Sequence, residues 1–385
     1  MWFKCIIISK GVKKNMEKRN FGIDILRLTA AFMIVVLHCL TQGGLKDNVE
    51  DGTSTSYVVI AMLVLTYGAV DIFALISGYV SYSEKEKKYS FSNVIYLWFI
   101  TIFYGVFITI MYHISKPDVI TWKDYVKGLM PITNNTYWYL NAYIGLVIFK
   151  PFIDKMLRSI TNGFAFSIAV VFLAAFSFYE TMTHSFSLNN GYSVLWLIVL
   201  YYIGAVIKKC EIDKKSKTSI CVILLLLSYI ITVLSLIFMR DVGIINISIN
   251  KTVLLSYTSP TIVLFCSMLL ILFSKIRIKG VMKSIVELLS PLAFTVYIIN
   301  CHDCIWEYVM KDLFLKSVVK DGLKVFGEIM IFSFCFFAIC IMLDMMRNYL
   351  FKSINVKSLS VKLEGLIVRI VKKIGPKVTE TRIID

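Results

Sequence analysis

An all-α, polytopic membrane protein of about ten transmembrane helices, with both termini on the cytoplasmic side, is the fold this sequence predicts. Three observations predict it. First, 58% of the 385 residues are hydrophobic and only 17% charged, with a mean hydropathy of +0.75. A soluble domain averages about 45–50% apolar and about 25% charged. Second, apolar runs near the ~20 residues that a spanning helix needs recur along the whole chain. Third, Lys and Arg alternate from loop to loop as the positive-inside rule requires.

The elements follow in order. Residues 1–21 form a basic leader. A second start at Met16 would give MEKRNFGID, a short basic lead into the first helix, so residues 1–15 are expected to be dispensable. The first apolar run lacks a small-residue cleavage site and does not read as a removable signal peptide. The expected spans are 22–41, 57–80, 93–113, 136–153, 164–180, 192–207, 218–238, 252–274, 285–302 and 325–350, within a membrane domain of 22–350. Runs this long and continuous are helices, because lipid offers the backbone no hydrogen-bond partner. With the N-terminus inside, the inner segments hold 30 Lys or Arg and the outer loops 10, and Arg27 lies inside the first helix. This bias explains the net charge of +16 as a face towards anionic lipid, so no nucleic-acid partner is expected. Residues 351–385 are a basic cytoplasmic tail. Its stretch INVKSLSVKLEGLIVRIVKKIG (354–375) is amphipathic and reads as a helix lying on the inner leaflet.

The chemistry begins in the first span. DILRLTAAFMIVVLHC (24–39) places Asp24, Arg27 and His38 in a segment where each is costly. Arg27 and His38 are eleven residues apart, close to three helical turns, so they share a face roughly 16 Å apart in depth. Taken singly, Arg27 could pair only with Asp24, and His38 could be a hydrogen-bonded packing group. A shared face favours a cavity inside the bundle. Asp71, in mid-helix, is expected to orient His38 or to pair with a cation, with a structural hydrogen bond as the equal alternative. Ser77 bonding its own backbone, Gly78 as a packing position, and Trp138, Tyr139 and Tyr143 as an interfacial belt are the plain alternatives for their neighbourhoods. Most cysteines are scattered as small apolar residues. CHDC (301–304) lacks the second ligand pair a structural zinc would need, and no metal is expected.

Arg, ten residues, then His in the first of about ten helices resembles membrane acyltransferase family 3, whose members O-acylate bacterial surface sugars. AVDIFALISGYV (69–80), NTYWYLNAYIGLVIFKPF (135–152) and LSPLAFTVYIINCHD (289–303) resemble further segments of that family, in order. The likeness spans residues 21 to about 350. Two departures stand out. Asn300 occupies the position where relatives usually have His, with His302 two residues on. Lys85, Lys87 and Lys88 stand where relatives carry arginines at the start of the third helix.

The resemblance implies an O-acyltransferase, an acetyltransferase by expectation, with cytoplasmic acetyl-CoA as donor. The implied acceptor is a hydroxyl of a cell-surface polysaccharide or its lipid-linked precursor. His38, Arg27 and Asp71 are the expected catalytic residues. His38 would act as base on the hydroxyl or carry the acyl group, a choice the sequence leaves open. Arg27, Lys87 and Lys88 would bind the donor phosphates. Ser77, Tyr79, Trp138, Asn141, Tyr143, Tyr297, Asn300 and His302 would line the substrate site. A transporter or exporter of a polysaccharide or small solute is the alternative. The acceptor sugar, acyl chain and oligomeric state stay open.

Overall fold

Residues 19–86, 89–133, 136–241 and 254–374 are described in the computed structural model. Among them every regular element is a helix. We label them α1 (Phe21–Thr41), α2 (Ser54–Tyr67), α3 (Ala69–Ser81), α4 (Ser92–Ser115), α5 (Trp122–Leu129), α6 (Trp138–Ser159), α7 (Asn162–Phe172), α8 (Val194–Lys209), α9 (Thr218–Asp241), α10 (Pro260–Ser274), α11 (Gly280–Leu289), α12 (Ala293–Asn300), α13 (Gly322–Ser353) and α14 (Val356–Ile374). Short single turns join several of them.

Seven helical stretches among the described residues are long and apolar enough to cross a membrane. They are Phe21–Asn48, Ser54–Ser81, Ser92–Ser115, Asn162–Thr183, Thr218–Met239, Gly280–Asn300 and Gly322–Ser353. The chain is therefore an all-α, multi-pass membrane protein. The other three expected spans coincide with α6, α8 and α10. α6 has 22 residues but carries Asn141, Lys150 and Pro151, and α8 and α10 are only 16 and 15 residues long.

α1 is the hub, packed against α2, α3, α10, α11, α12 and α13. Its first turn is fixed by Asn20, whose Oδ1 accepts from the Gly22 N–H while its Nδ2 donates to the Ser274 carbonyl that ends α10. The second span is broken at Gly68 into α2 and α3. The Gly68 carbonyl accepts the Ile72 N–H at 3.0 Å and also the thiol of Cys266 on α10 at 3.3 Å, which ties the break to α10.

α3 and α8 meet backbone to backbone. A Cβ on Gly78 would sit 1.9 Å from the Tyr201 carbonyl oxygen, and one on Gly204 2.1 Å from that of Leu75. Small residues permit such approach in membrane bundles. The ninth span is broken too. Pro291, in a 3-10 turn over Ser290–Leu292, separates α11 from α12. α12 then ends at Asn300, and His302 begins a new turn over Asp303–Ile305.

Candidate active site

Asp24 gathers three donors. Arg19 Nε lies 2.5 Å from Oδ2, while Arg27 NH1 and the Ser290 hydroxyl donate to Oδ1 at 2.8 and 2.9 Å. Arg27 NH1 also reaches Ser290 Oγ at 3.1 Å. Among the described residues both bonds of Arg27 use one nitrogen. Nε and NH2 make no bond to a described residue, and the side chain is 29% exposed.

His38, also half-buried, lies 2.8 Å from Asn300 by Nδ1···Oδ1, and its ring meets Trp306 edge-on at 4.8 Å. With Oδ1 facing Nδ1, the proton belongs on Nδ1 and the lone pair on Nε2. Asn300 is fully buried, and its Nδ2 has no partner among the described residues.

These contacts decide the geometry of the first helix. Arg27 reaches Ser290, and His38 reaches Asn300, at the two ends of one short segment of the ninth span. Both side chains therefore leave α1 on the same side, as their spacing predicts. The rise of about 1.5 Å per residue keeps them some 16 Å apart, at two depths of the helix.

The remaining expected residues fall into distinct groups. Ser77 donates to its own Phe73 carbonyl at 2.9 Å, yet it stays half-buried beside Tyr143, which also lies within electrostatic reach of Arg27. Tyr297 stands next to the histidine's partner, and its hydroxyl accepts from the Tyr139 N–H at 3.3 Å. Trp138 packs with Tyr192 and Tyr257 at 4.4 and 5.9 Å, in an aromatic cluster rather than against His38. Asn141 holds the preceding loop by donating to the Ile132 carbonyl.

Several expectations need correction. Asp71 does not orient His38. Fully buried on α3, it accepts from Trp196 Nε1 of α8 at 3.2 Å, because its face of the helix is turned towards α8. Asn300, not Asp71, is the hydrogen-bond partner of His38. Tyr79 does not join the interior site either. Its hydroxyl donates to Asp213 at 2.7 Å with Lys208 over its ring, at the basic end of the bundle. His302 does not replace a histidine at position 300. Its Nδ1 accepts from the Cys304 N–H and its Nε2 donates to the Gly105 carbonyl, so both nitrogens are consumed in holding the turn to α4. The helix has already ended, and the ring points away from His38. Lys87 and Lys88 lie outside the described residues.

Apart from Lys85, the polar groups of a further cavity are not legible as a site in sequence. Ser81, Lys85, Tyr89, Lys150, Asp154 and Arg158 line a cavity of ≈ 200 Å³. Ser81 is one turn beyond Ser77, and Lys150 two turns beyond Tyr143. The cavity therefore lies on the same faces of α3 and α6 as Ser77 and Tyr143. Lys150 and Arg158 were read only as loop charge, because nothing in sequence links them to Lys85.

A second surprise is Arg347, which in sequence counts only among the inner basic residues. Arg347 and Asp344 are buried and joined by two bonds of 2.8 and 2.7 Å. Arg347 NH1 donates to Tyr96, and Tyr104 donates to Asp344. An Asp and an Arg three apart on an otherwise apolar helix were the signal.

A family model described as acyltransferase domain, of acyltransferase family 3, matches residues 20–345. The chain belongs to acyltransferase family 3. No curated protein and no solved structure matches it. The match covers Arg27, His38, Asn300 and every helix that positions them, and it does not favour the transporter alternative. This acyltransferase thus presents an imidazole with a defined free nitrogen and a guanidinium with donors in reserve, on one side of one helix.

Proposed function

We propose that this family 3 acyltransferase moves an acetyl group from cytoplasmic acetyl-CoA to a hydroxyl of a cell-surface polysaccharide or its lipid-linked precursor. The observation that carries the reading is the pairing of Arg27 and His38 with the two ends of one segment, Ser290 and Asn300. A long donor laid along that segment can be gripped at one depth and react at the other. In this reading ten helices cross the cell membrane, α6, α8 and α10 among them, with both termini inside. The Lys and Arg bias supports that orientation.

The basic cavity of Lys85, Lys150 and Arg158 then faces the cytoplasm, where coenzyme A is found. Its cations suit the donor's phosphates, as point charges from lysine and a planar fork from arginine. The pantetheine arm passes Ser77, Tyr143 and Arg27 towards His38. There Nε2 takes the acceptor hydroxyl's proton as its oxygen attacks the thioester carbon. The C–S bond breaks, and the proton is returned to the leaving thiolate. Asn300 keeps Nδ1 protonated and the ring oriented. The reserve donors of Arg27 hold the donor. Tyr297 borders the histidine's pocket, and Trp138 the outer aromatic cluster where a sugar would stack.

Mass analysis of surface glycans tests the reading. A strain lacking the protein loses a +42 Da acetyl modification, which the wild-type gene restores and His38→Ala does not. Glycans acetylated identically in all these strains would overturn it.

A further inference from the structure

α4 begins with only a partial cap of its own, the Ser92 N–H donating to Ser90 Oγ at 3.3 Å. The residue before it, Phe91, has φ −92 and ψ −2 and a side chain with no acceptor. A helix start leaves backbone N–H groups unpaired unless something accepts them. For the Phe91 N–H the acceptor comes from the far end of the chain. Glu364 on α14 takes the Phe91 N–H on Oε1 at 2.6 Å and the Ser90 hydroxyl on Oε2 at 2.8 Å. This reproduces the acid's half of a capping box, with the acid supplied by another helix. Its negative charge also lies at the positive end of the α4 dipole.

The rest of α14 explains how Glu364 is kept there. Val356 and Ser360 are buried and Leu363 partly so, one strip that continues to Glu364 and packs on α4. Further along, Leu366, Ile367, Ile370 and Val371 are each about half exposed among the described residues. Lys357, Lys362, Arg369 and Lys373 are exposed around them. A basic amphipathic helix with such a face lies in the interface of an anionic bilayer. The segment that Glu364 grips is one wall of the basic cavity, since Tyr89, Ser90, Phe91 and Asn93 line it.

We infer that α14 is a membrane-held clamp: an anionic bilayer surface seats the helix, and Glu364 thereby sets the mouth of the basic cavity. Glu364 is a positioning residue, because it acts through residues 89–93. The consequence for donor binding rests on the proposed function; the clamp itself does not.

The test uses the full chain in nanodiscs of phosphatidylcholine, with or without phosphatidylglycerol. Amide exchange is followed over 89–95 and over α14. Loss of a cap predicts about fivefold faster exchange at 89–95 in Glu364→Ala, and a smaller rise in Glu364→Gln, which keeps one acceptor. In the wild type phosphatidylglycerol slows exchange in both segments. In Glu364→Ala it slows α14 alone. The donor KM rises in Glu364→Ala with kcat unchanged, a split that general unfolding does not produce. Exchange at 89–95 that ignores the substitution overturns the clamp. Exchange in α14 that ignores phosphatidylglycerol overturns its partner. If exchange responds as expected while the donor KM stays constant, the clamp is supported, and it is the donor assignment of the cavity that fails.

Discussion

Replacing Asn300 with alanine removes the acceptor that His38 Nδ1 meets among the described residues. The bond is 2.8 Å long, joins two neutral groups, and lies in a part of the bundle where Asn300 itself is fully buried. An unpaired buried donor costs about 1–3 kcal/mol. Here that cost falls on the tautomer and ring orientation that present Nε2 to the substrate. At about 1.4 kcal/mol per factor of ten, kcat should fall by about 5–150-fold. The edge-on contact with Trp306 survives the change, so the ring is loosened rather than expelled.

Acetyl transfer from labelled acetyl-CoA, measured with protein in nanodiscs, reads this directly. The donor KM should stay within about twofold, because Arg27 and the basic cavity are untouched. Asn300→Asp, which keeps an oxygen at the same reach, should retain more activity than Asn300→Ala. If Asn300→Ala kept full kcat while His38→Ala abolished transfer, the assigned tautomer and the positioning role of Asn300 would both be wrong.

Other perturbations separate the remaining parts. Arg27→Ala should raise the donor KM more than it lowers kcat, as expected of a group that holds the donor away from the reacting carbon; initial-rate kinetics check the split. Lys150→Ala combined with Arg158→Ala should weaken donor binding and flatten its dependence on salt, measured by titration at two ionic strengths. Gly78→Ala forces a methyl to within 1.9 Å of the Tyr201 carbonyl, so α3 and α8 must separate, at a cost of about 1–3 kcal/mol in thermal unfolding. Arg347→Ala strands the buried Asp344 and should cost about 3–5 kcal/mol, whereas Arg347→Met with Asp344→Leu should recover most of that stability.

The parts legible in sequence were those set by local repetition. Arg27 and His38 share a face because helical pitch demands it, and their contacts with Ser290 and Asn300 bear this out. Gly68 hid a break inside an unbroken apolar run, since hydropathy does not register a dihedral change. Asp71 was assigned to the wrong neighbour because its helix position gives a direction but not which helix lies there. His302 turned on where α12 stops, and that depends on how Asn300 and the turn after it are packed.

Composition and period alone determined that this chain is a multi-pass helical membrane protein with an arginine and a histidine on one side of its first helix. Both are properties of single segments, imposed by lipid and by 3.6 residues per turn. Tertiary structure decided that His38 is held by Asn300, that Asp71 belongs to Trp196, and that Glu364 caps a helix begun 272 residues earlier at Ser92. Each of these is a choice of partner across most of the chain, made when α1, α3, α8, α12 and α14 settle against their neighbours and each polar group takes whichever donor or acceptor the packing brings within reach.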